Sequence, residues 1–374
     1  MSDRIVIVAA SSRAAAFSAL RAGFTPLCAD LFADVDLRQA ANVQRVQGYP
    51  SGVEIAVRQF GEIPVVYGGA FENYPDIVDR LAMDRTLYGN DAEVLRKIRD
   101  PFRVCRVLRG ADLCTPEVQA MPDGLPRDGS WLQKPLQGGG GAGIVPWTPE
   151  TRRNANVYYQ RRIDGVSCSA LYVASGARCE LIGVTRQLVG EPWTAAGLFQ
   201  YAGSIGPLLL SPDSERQWQA IGCELTQRFK LVGIFGVDAV WRQDGVWPVE
   251  VNPRYPASAE VLERAGCGRL MELHVEAFRS SLPTEVIRPD GKLPFGKAIV
   301  YARQDIVVPE ALVALAISAN TGIEWPEFGD IPHPGESVRG GRPVITVFAA
   351  GPVAGEVEDR LRAKVRLVEA MLYS

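Results

Sequence analysis

Near the middle of the chain an apolar run ends in Glu250-Val251-Asn252-Pro253-Arg254, which sets a carboxylate, a carboxamide and a guanidinium at alternate positions. Alternate residues of a strand share a face, so Glu250 and Asn252 point the same way. The run reads as the second strand of a hairpin in "IFGVDAVWRQDGVWPVEVNP", turning at Asp244-Gly245. Such a turn brings Asp238 nearly opposite Glu250 on that face. Two carboxylates and an amide oxygen so placed repel one another without a cation. Hard oxygen donors of this kind suit Mg²⁺, which keeps its remaining positions for phosphate and water. Each residue alone also fits a polar strand end facing water. The three together carry the reading.

A second stretch, "KPLQGGGGAGI", sets Lys134 near the end of a strand and then Gly138 to Gly141, Ala142 and Gly143 before the next strand. Flexible linkers rarely sit inside a tight hairpin, here flanked by Trp131 and Trp147. A glycine loop of this kind can close over a phosphate chain and offer its backbone N–H groups. Lys134 adds a point charge to the same phosphates. A Walker-type P-loop is excluded, because the lysine precedes the glycines and no helix opening with Gly-Lys-Ser/Thr follows.

The elements that must position these residues are α/β. "RIVIVAASSRAAAFSALRAGFTPLCADLF" reads strand, loop, helix, strand, with the helix closing at Gly23 and Asp30 ending the second strand. Its loop "AASSRAAA" has no glycine, so it lacks the cradle of a dinucleotide-binding unit. "IPVVYGGAFENYPDIVDRLA" repeats strand, turn and helix, leaving Glu72 and Asn73 at a strand's carboxyl end, where open α/β sheets place ligands. Residues 91–116 read as helix, interrupted at Asp100-Pro101. Alternating strands follow to residue 189, with a turn at Ser175-Gly176. A capped helix follows in "DSERQWQAIGCELTQRFKLVG". A further helix is expected from about Ala259 to Ser281, a boundary in "PTEVIRPDGK", and mixed α/β structure beyond.

Composition narrows the chemistry. Hydrophobic residues at 47% and charged residues at 22% suit a globular protein with a substantial core, and 374 residues suit two or three units. A net charge of −3 with no basic run argues against nucleic-acid or membrane-surface binding. No apolar run is long enough to span a membrane. The seven cysteines, Cys28, Cys105, Cys114, Cys168, Cys179, Cys223 and Cys267, are scattered and form no Cys-x-x-Cys pair, which suits a reducing cytoplasm. The two histidines, His274 and His333, lack acidic or cysteine neighbours at ligand spacing and read as packing or surface residues. Chemistry built on carboxylates, Lys, Arg and glycine loops is what remains.

A lysine followed by a glycine loop, an acid on one strand and then Glu-x-Asn-x-Arg resembles the ATP-grasp superfamily. The loop and "EVNPR" are most similar to its biotin carboxylase branch and to related carboxylate–amine ligases, and "DIPHPGESVRGGRPVITVFAAG" is similar to the closing segment of carboxylase-type members. The resemblance implies a parallel-sheet α/β domain over 1–95, a two-lobed α+β ATP-grasp core over 96–284 with the glycine-loop lobe near 130–160, and a small mixed α/β domain over 285–374. It implies that ATP is bound with Mg²⁺, or Mn²⁺ in its place, held by Asp238, Glu250 and Asn252. Lys134, Gly139, Gly140 and Gly141 would hold the phosphates. Gln160, Arg161 and Ile163, in "YYQRRI", would carry the adenine, and Arg254 would stabilise an acyl-phosphate.

Two departures from the family stand out. The usual first lysine is replaced within "LRKIRDPFRV" by Lys97, Arg99 or Arg103, and Ser167 stands where many members place an acid on the ribose. The implied reaction phosphorylates a small-molecule carboxylate and joins it to an amine, releasing ADP and phosphate, in a cytoplasmic homodimer of cofactor or amino-acid biosynthesis. One rival is a carboxylase activating bicarbonate. Its relatives carry a glutamate base four residues after the arginine, where this chain has Ser258, the nearest acids being Glu260 and Glu263. The other rival is a non-catalytic ATP-binding protein. Substrate specificity is expected from Gly68 to Asn73 and from "FQYAGSIGP".

Overall fold

The structure is a computed structural model that describes residues 3–279, 282–283, 285–289, 293–322 and 325–374. The first strand, Arg4–Ala9, is buried over its last five residues and pairs in parallel with Thr25–Asp30 on one side and Val65–Tyr67 on the other. Asn42–Arg45 adds a fourth parallel strand beyond Thr25–Asp30. The order of this sheet reverses beside Arg4–Ala9, so its ligand-facing crevice opens between the loops that follow Arg4–Ala9 and Val65–Tyr67. The Asn42–Arg45 strand and the helices Val35–Ala40 and Val53–Arg58 are additions to the elements read from sequence.

The second sheet has eight strands, in the order Gly245–Asn252, Gly233–Arg242, Val166–Ser175, Arg178–Val189, Tyr201–Gly206, Phe295–Tyr301, Pro343–Ala350 and Phe328–Gly329. All neighbours are antiparallel. It therefore continues across residue 285 into the C-terminal segment. A smaller antiparallel sheet of Val118–Gln119, Val157–Arg161, Trp131–Pro135 and Val145–Pro146 carries the glycine loop at its edge.

The helix Pro212–Phe229 shows why these elements hold. The Ser211 hydroxyl accepts from Ser214 N, Pro212 opens the helix, and acids at 213 and 215 complement its positive end. Its buried stripe of Trp218, Ile221, Leu225 and Phe229 packs with Leu181, Phe235 and Val237 of the large sheet, each side chain contributing about 1.5–3 kcal/mol by burial. Residues 92–110 form two helices, Ala92–Ile98 and Pro101–Gly110, divided at Asp100, whose carboxylate caps the second. The pair ends before the expected Thr115.

The helix expected from Ala259 to Ser281 is two helices, Ala259–Arg264 and Leu270–Arg279. Gly266 and Gly268, at φ +95° and +85°, break it. The end expected at Ser281 and part of the boundary at 283–292 lie outside the described residues.

Arg13, on the helix Arg13–Arg21, joins distant parts of the chain. Its Nη1 and Nη2 each donate to one oxygen of the buried Glu260 at 2.8 Å, and its Nε donates to the partly exposed Asp330 at 3.0 Å. Glu263 takes Arg21 and Ser18 in the same way. These pairs tie the first α/β unit to the helix that follows the Glu-x-Asn-x-Arg strand.

His274 is a packing residue. Its Nδ1 accepts from Ile234 N at 2.9 Å and its Nε2 lies 3.1 Å from Tyr88 O, so both nitrogens are used by the neutral ring. Burial lowers its pKa to about 4, below the ordinary value of about 6.5. The unfolded chain therefore takes up the proton first, and the stability this contributes is present above pH 6.5 and lost as pH falls towards 4. Urea unfolding should lose roughly 2 kcal/mol from this residue between pH 7 and pH 5. The His274→Asn variant should show a correspondingly shallower slope, and equal slopes would contradict the assignment.

Candidate functional site

The hairpin that carries the carboxylates turns at Gln243-Asp244, one residue earlier than its sequence suggested, with Arg242 paired to Gly245. A plain ladder from that turn would set Asp238 against Val249. A β-bulge between Asp238 and Ala239 inserts Val249 as the extra residue and restores the Asp238–Glu250 pair, with Gly236 opposite Asn252. The bulge also re-aims a carbonyl: Val249 O accepts from Lys134 Nζ at 3.2 Å. The irregularity thus places both the acids and the lysine.

Asp238, Glu250, Asn252 and Arg254 line one cleft of about 390 Å³. Asn252 Nδ2 donates to Asp238 Oδ2 at 3.0 Å, and Asn252 Oδ1 accepts from Arg254 Nη2 at 3.0 Å. Burial first, and then the neighbouring charge of Glu250, push the Asp238 carboxyl up to about 6. Burial alone would raise Glu250 too, but Arg99 and Lys134 outweigh it and hold that carboxyl below its ordinary range. Burial would lower Arg254, yet Glu72, with Glu250 and Asp238 behind it, more than offsets that and keeps the guanidinium charged.

The opposite wall comes from the small sheet. Lys134 is buried and donates to Gln160 Oε1 at 2.9 Å, and both line the cleft. Arg161 and Ile163 line it where the chain leaves the small sheet for Val166–Ser175. Ser167 is there as well.

Within the glycine loop, Gly140 and Gly141 face this cleft. Gly139 lines an adjoining pocket of about 60 Å³ together with Arg99, Lys134 and Glu250. The loop is docked at both ends. Gly138 O accepts from Arg99 Nη2 at 2.9 Å and Asn73 Nδ2 at 3.1 Å, and Gly140 O accepts from Tyr201 N at 2.9 Å.

Of the three basic residues near the start of the core, Arg99 is the one at the site. It donates to Glu250 Oε1 at 2.8 Å, Val251 O at 3.2 Å and Asn73 Oδ1 at 3.1 Å. Lys97 pairs instead with Glu93 on the exposed helix face. Sequence reasoning did not reach Val249, the extra residue of the bulge, or Asn90, whose Nδ2 donates to Pro253 O just before Arg254. A bulge leaves no mark in the hydrophobic pattern, and an isolated Asn such as Asn90 has no signature.

Gly141 illustrates the loop's constraint. It sits at φ +77°, and a Cβ there would lie 1.7 Å from Phe199 O. Gly141→Ala should lift the loop from the 197–201 segment and weaken MgADP binding roughly tenfold, given the left-handed backbone and the clash. Isothermal titration that finds unchanged affinity would detach this glycine from nucleotide binding.

Residues 98–258 match the ATP-grasp domain family model. The chain carries an ATP-grasp domain. No curated protein matches the sequence. Among solved structures, the chain is similar to N5-carboxyaminoimidazole ribonucleotide synthetase from Thermus thermophilus, with a TM-score of 0.67, 16% identity and 99% of each chain covered. It is also similar to L-amino acid ligase from Bacillus licheniformis, with a TM-score of 0.70, 14% identity, and 99% of this chain and 97% of that one covered. The biotin carboxylase domain dimer of Hydrogenobacter thermophilus 2-oxoglutarate carboxylase, complexed with MgADP, ADP and bicarbonate, gives a TM-score of 0.70 at 13% identity. That match covers 96% of this chain and 88% of the other. At such identities the likeness is one of fold. The ATP-grasp fold here is mixed α/β, with its parallel sheet N-terminal and its large antiparallel sheet behind the cleft. No helix among the described residues is long and apolar enough to cross a membrane.

Proposed function

We propose that this protein is an ADP-forming ligase that activates a carboxylate as its acyl-phosphate and joins it to an amine. One observation carries the reading. The acid pair Asp238–Glu250, Asn252, Arg254, Lys134 and the glycine loop converge on a single cleft of a size that admits a nucleotide.

The donor set fits Mg²⁺, and Mn²⁺ in its place. Among the described residues no group of three or more His, Cys, Asp or Glu gathers. Two carboxylates with one amide oxygen form an open set that leaves positions for phosphate oxygens. Burial first, and then the neighbouring Glu250, raise the Asp238 carboxyl, and a cation bound between the two acids would offset both effects. Bound there, the metal supplies charge neutralisation for the phosphates.

The remaining work falls to this chain's side chains. Lys134, Gly139, Gly140 and Gly141 hold the phosphates, and Arg99 adds a second charge beside Glu250. Gln160, Arg161 and Ile163 hold the adenine at the hinge between lobes. Arg254 orients the carboxylate against the transferring phosphoryl group and spreads the charge that develops there. ATP thus binds in the part assigned to residues 96–284.

Glu260 and Glu263 weigh against the bicarbonate-activating alternative. Both are buried and occupied, the first by Arg13 and Lys297, the second by Arg21 and Ser18. Ser258 is buried and 3.3 Å from Ser169 Oγ, where it offers no base. Hydroxylamine added with Mg-ATP and a panel of carboxylates tests the proposal. A hydroxamate from one carboxylate supports it, and its absence across the panel while ADP accumulates counts against an acyl-phosphate.

A further inference from the structure

Arg254 is gripped from outside the sheet that carries it. Its Nε and Nη2 both donate to Glu72 Oε1, at 3.1 and 2.8 Å, and its Nη1 reaches Tyr255 O at 3.3 Å. Nη2 also reaches Asn252 Oδ1, so most of the guanidinium's donors are assigned. Glu72 belongs to the short turn Phe71–Asn73 after the parallel strand Val65–Tyr67, and its side chain is 0% exposed. The same region holds the backbone just before Arg254. Asn90 Nδ2 donates to Pro253 O at 3.1 Å, and the Tyr67 hydroxyl is shared between Asn90 O at 2.8 Å and Pro253 O at 3.3 Å.

The form of the grip separates it from an ordinary structural ion pair. Arg13 and Glu260 are joined through both carboxylate oxygens. Arg254 converges on one oxygen of Glu72, and Glu72 Oε2 is buried with no partner among the described residues. A pair built for stability would use both oxygens, because an unpartnered buried carboxylate oxygen is costly. Nε and Nη2 lie on one edge of the guanidinium, so their shared acceptor holds that edge towards Glu72. Glu250 and Asp238 also draw on Arg254, and Glu72 is the strongest of the three attractions.

We propose that Glu72 is a positioning residue: it fixes the plane of the Arg254 guanidinium, so that the α/β unit at the N-terminus sets the geometry of phosphoryl transfer in the ATP-grasp cleft. The inference rests on the reading of Arg254 given above. Glu72 lines neither the cleft nor the adjoining pocket. It acts through Arg254, by reducing the orientational freedom the guanidinium would otherwise lose in the transition state.

The test compares affinities for MgADP and for MgADP with fluoroaluminate, a mimic of the transferring phosphoryl group, in wild type, Glu72→Gln, Arg254→Ala and the double variant. Wild type should bind the mimic more tightly than MgADP alone. Glu72→Gln should lose roughly tenfold on the mimic, the order of a weakened charge-assisted hydrogen bond, with MgADP affinity and melting temperature near wild type. In the Arg254→Ala background the same change should cost almost nothing further, since residues acting as one unit are not additive. Glu72→Asp, which keeps the charge but retracts it, should fall between wild type and Glu72→Gln on the mimic. It serves as the test variant if Glu72→Gln does not fold.

An unchanged mimic affinity in Glu72→Gln or, should that variant not fold, in Glu72→Asp would overturn the positioning role. So would an equal loss on MgADP, or a full extra loss in the double variant. If Arg254→Ala binds the mimic as wild type does, or if wild type gains nothing from fluoroaluminate, the reading of Arg254 itself falls.

Discussion

Glu250→Gln is expected to keep the fold and to lower turnover by on the order of a hundredfold or more, the scale seen when an electrostatic stabiliser is removed from a preorganised site. The fold should survive because the side chain is a quarter exposed, faces the cleft and packs into no core cluster. The loss should be large because one carboxylate serves three partners. It is paired with Arg99, it draws on Lys134, and it forms half of the acid pair with Asp238. Removing its charge takes away the carboxylate paired with Arg99 and halves the carboxylate charge offered to a divalent cation. Steady-state kinetics with increasing Mg²⁺ measures this. Near-normal turnover at ordinary Mg²⁺ would place the cation elsewhere.

Arg254→Lys is expected to bind MgADP as wild type does and to turn over poorly, by roughly a hundredfold on the same scale. The present contacts use the planar fork: two N–H groups meet Glu72 Oε1 while others reach Asn252 and Tyr255. An ammonium is a point charge with three donors and no plane, so it cannot hold Glu72 and still face a carboxylate in one orientation. Pre-steady-state measurement of ADP formation at saturating ATP separates the chemical step from binding. A variant with reduced affinity and an unchanged chemical step would make Arg254 a binding residue only.

Much of this site could be read from the chain, and the parts that could not have physical reasons. Strand parity puts Glu250 and Asn252 on one face, and the cross-strand rule adds Asp238. The structure reaches that pairing by another route, with an earlier turn corrected by the Val249 bulge. Glycine punctuation identified the loop between Trp131 and Trp147. The pattern did not show that Gly139 turns to the smaller pocket, or that Phe199 O closes the space beside Gly141. Those facts depend on contacts between distant segments. The same holds for the choice of Arg99 over its sequence neighbours Lys97 and Arg103: the deciding partners, Glu250 and Asn73, are far away in sequence. The single helix read from Ala259 is two helices, because Gly266 and Gly268 take left-handed backbone between them.

The most direct test of the central claim is to identify what becomes of ATP when purified protein is screened with carboxylates and amines, by chromatography of nucleotides and mass detection of products. A ligase of the proposed kind releases ADP and phosphate in step with a new amide, and only when both a carboxylate and an amine are present. AMP and pyrophosphate as products, or ATP cleavage driven by bicarbonate with no carboxylate–amine pair active, would contradict it.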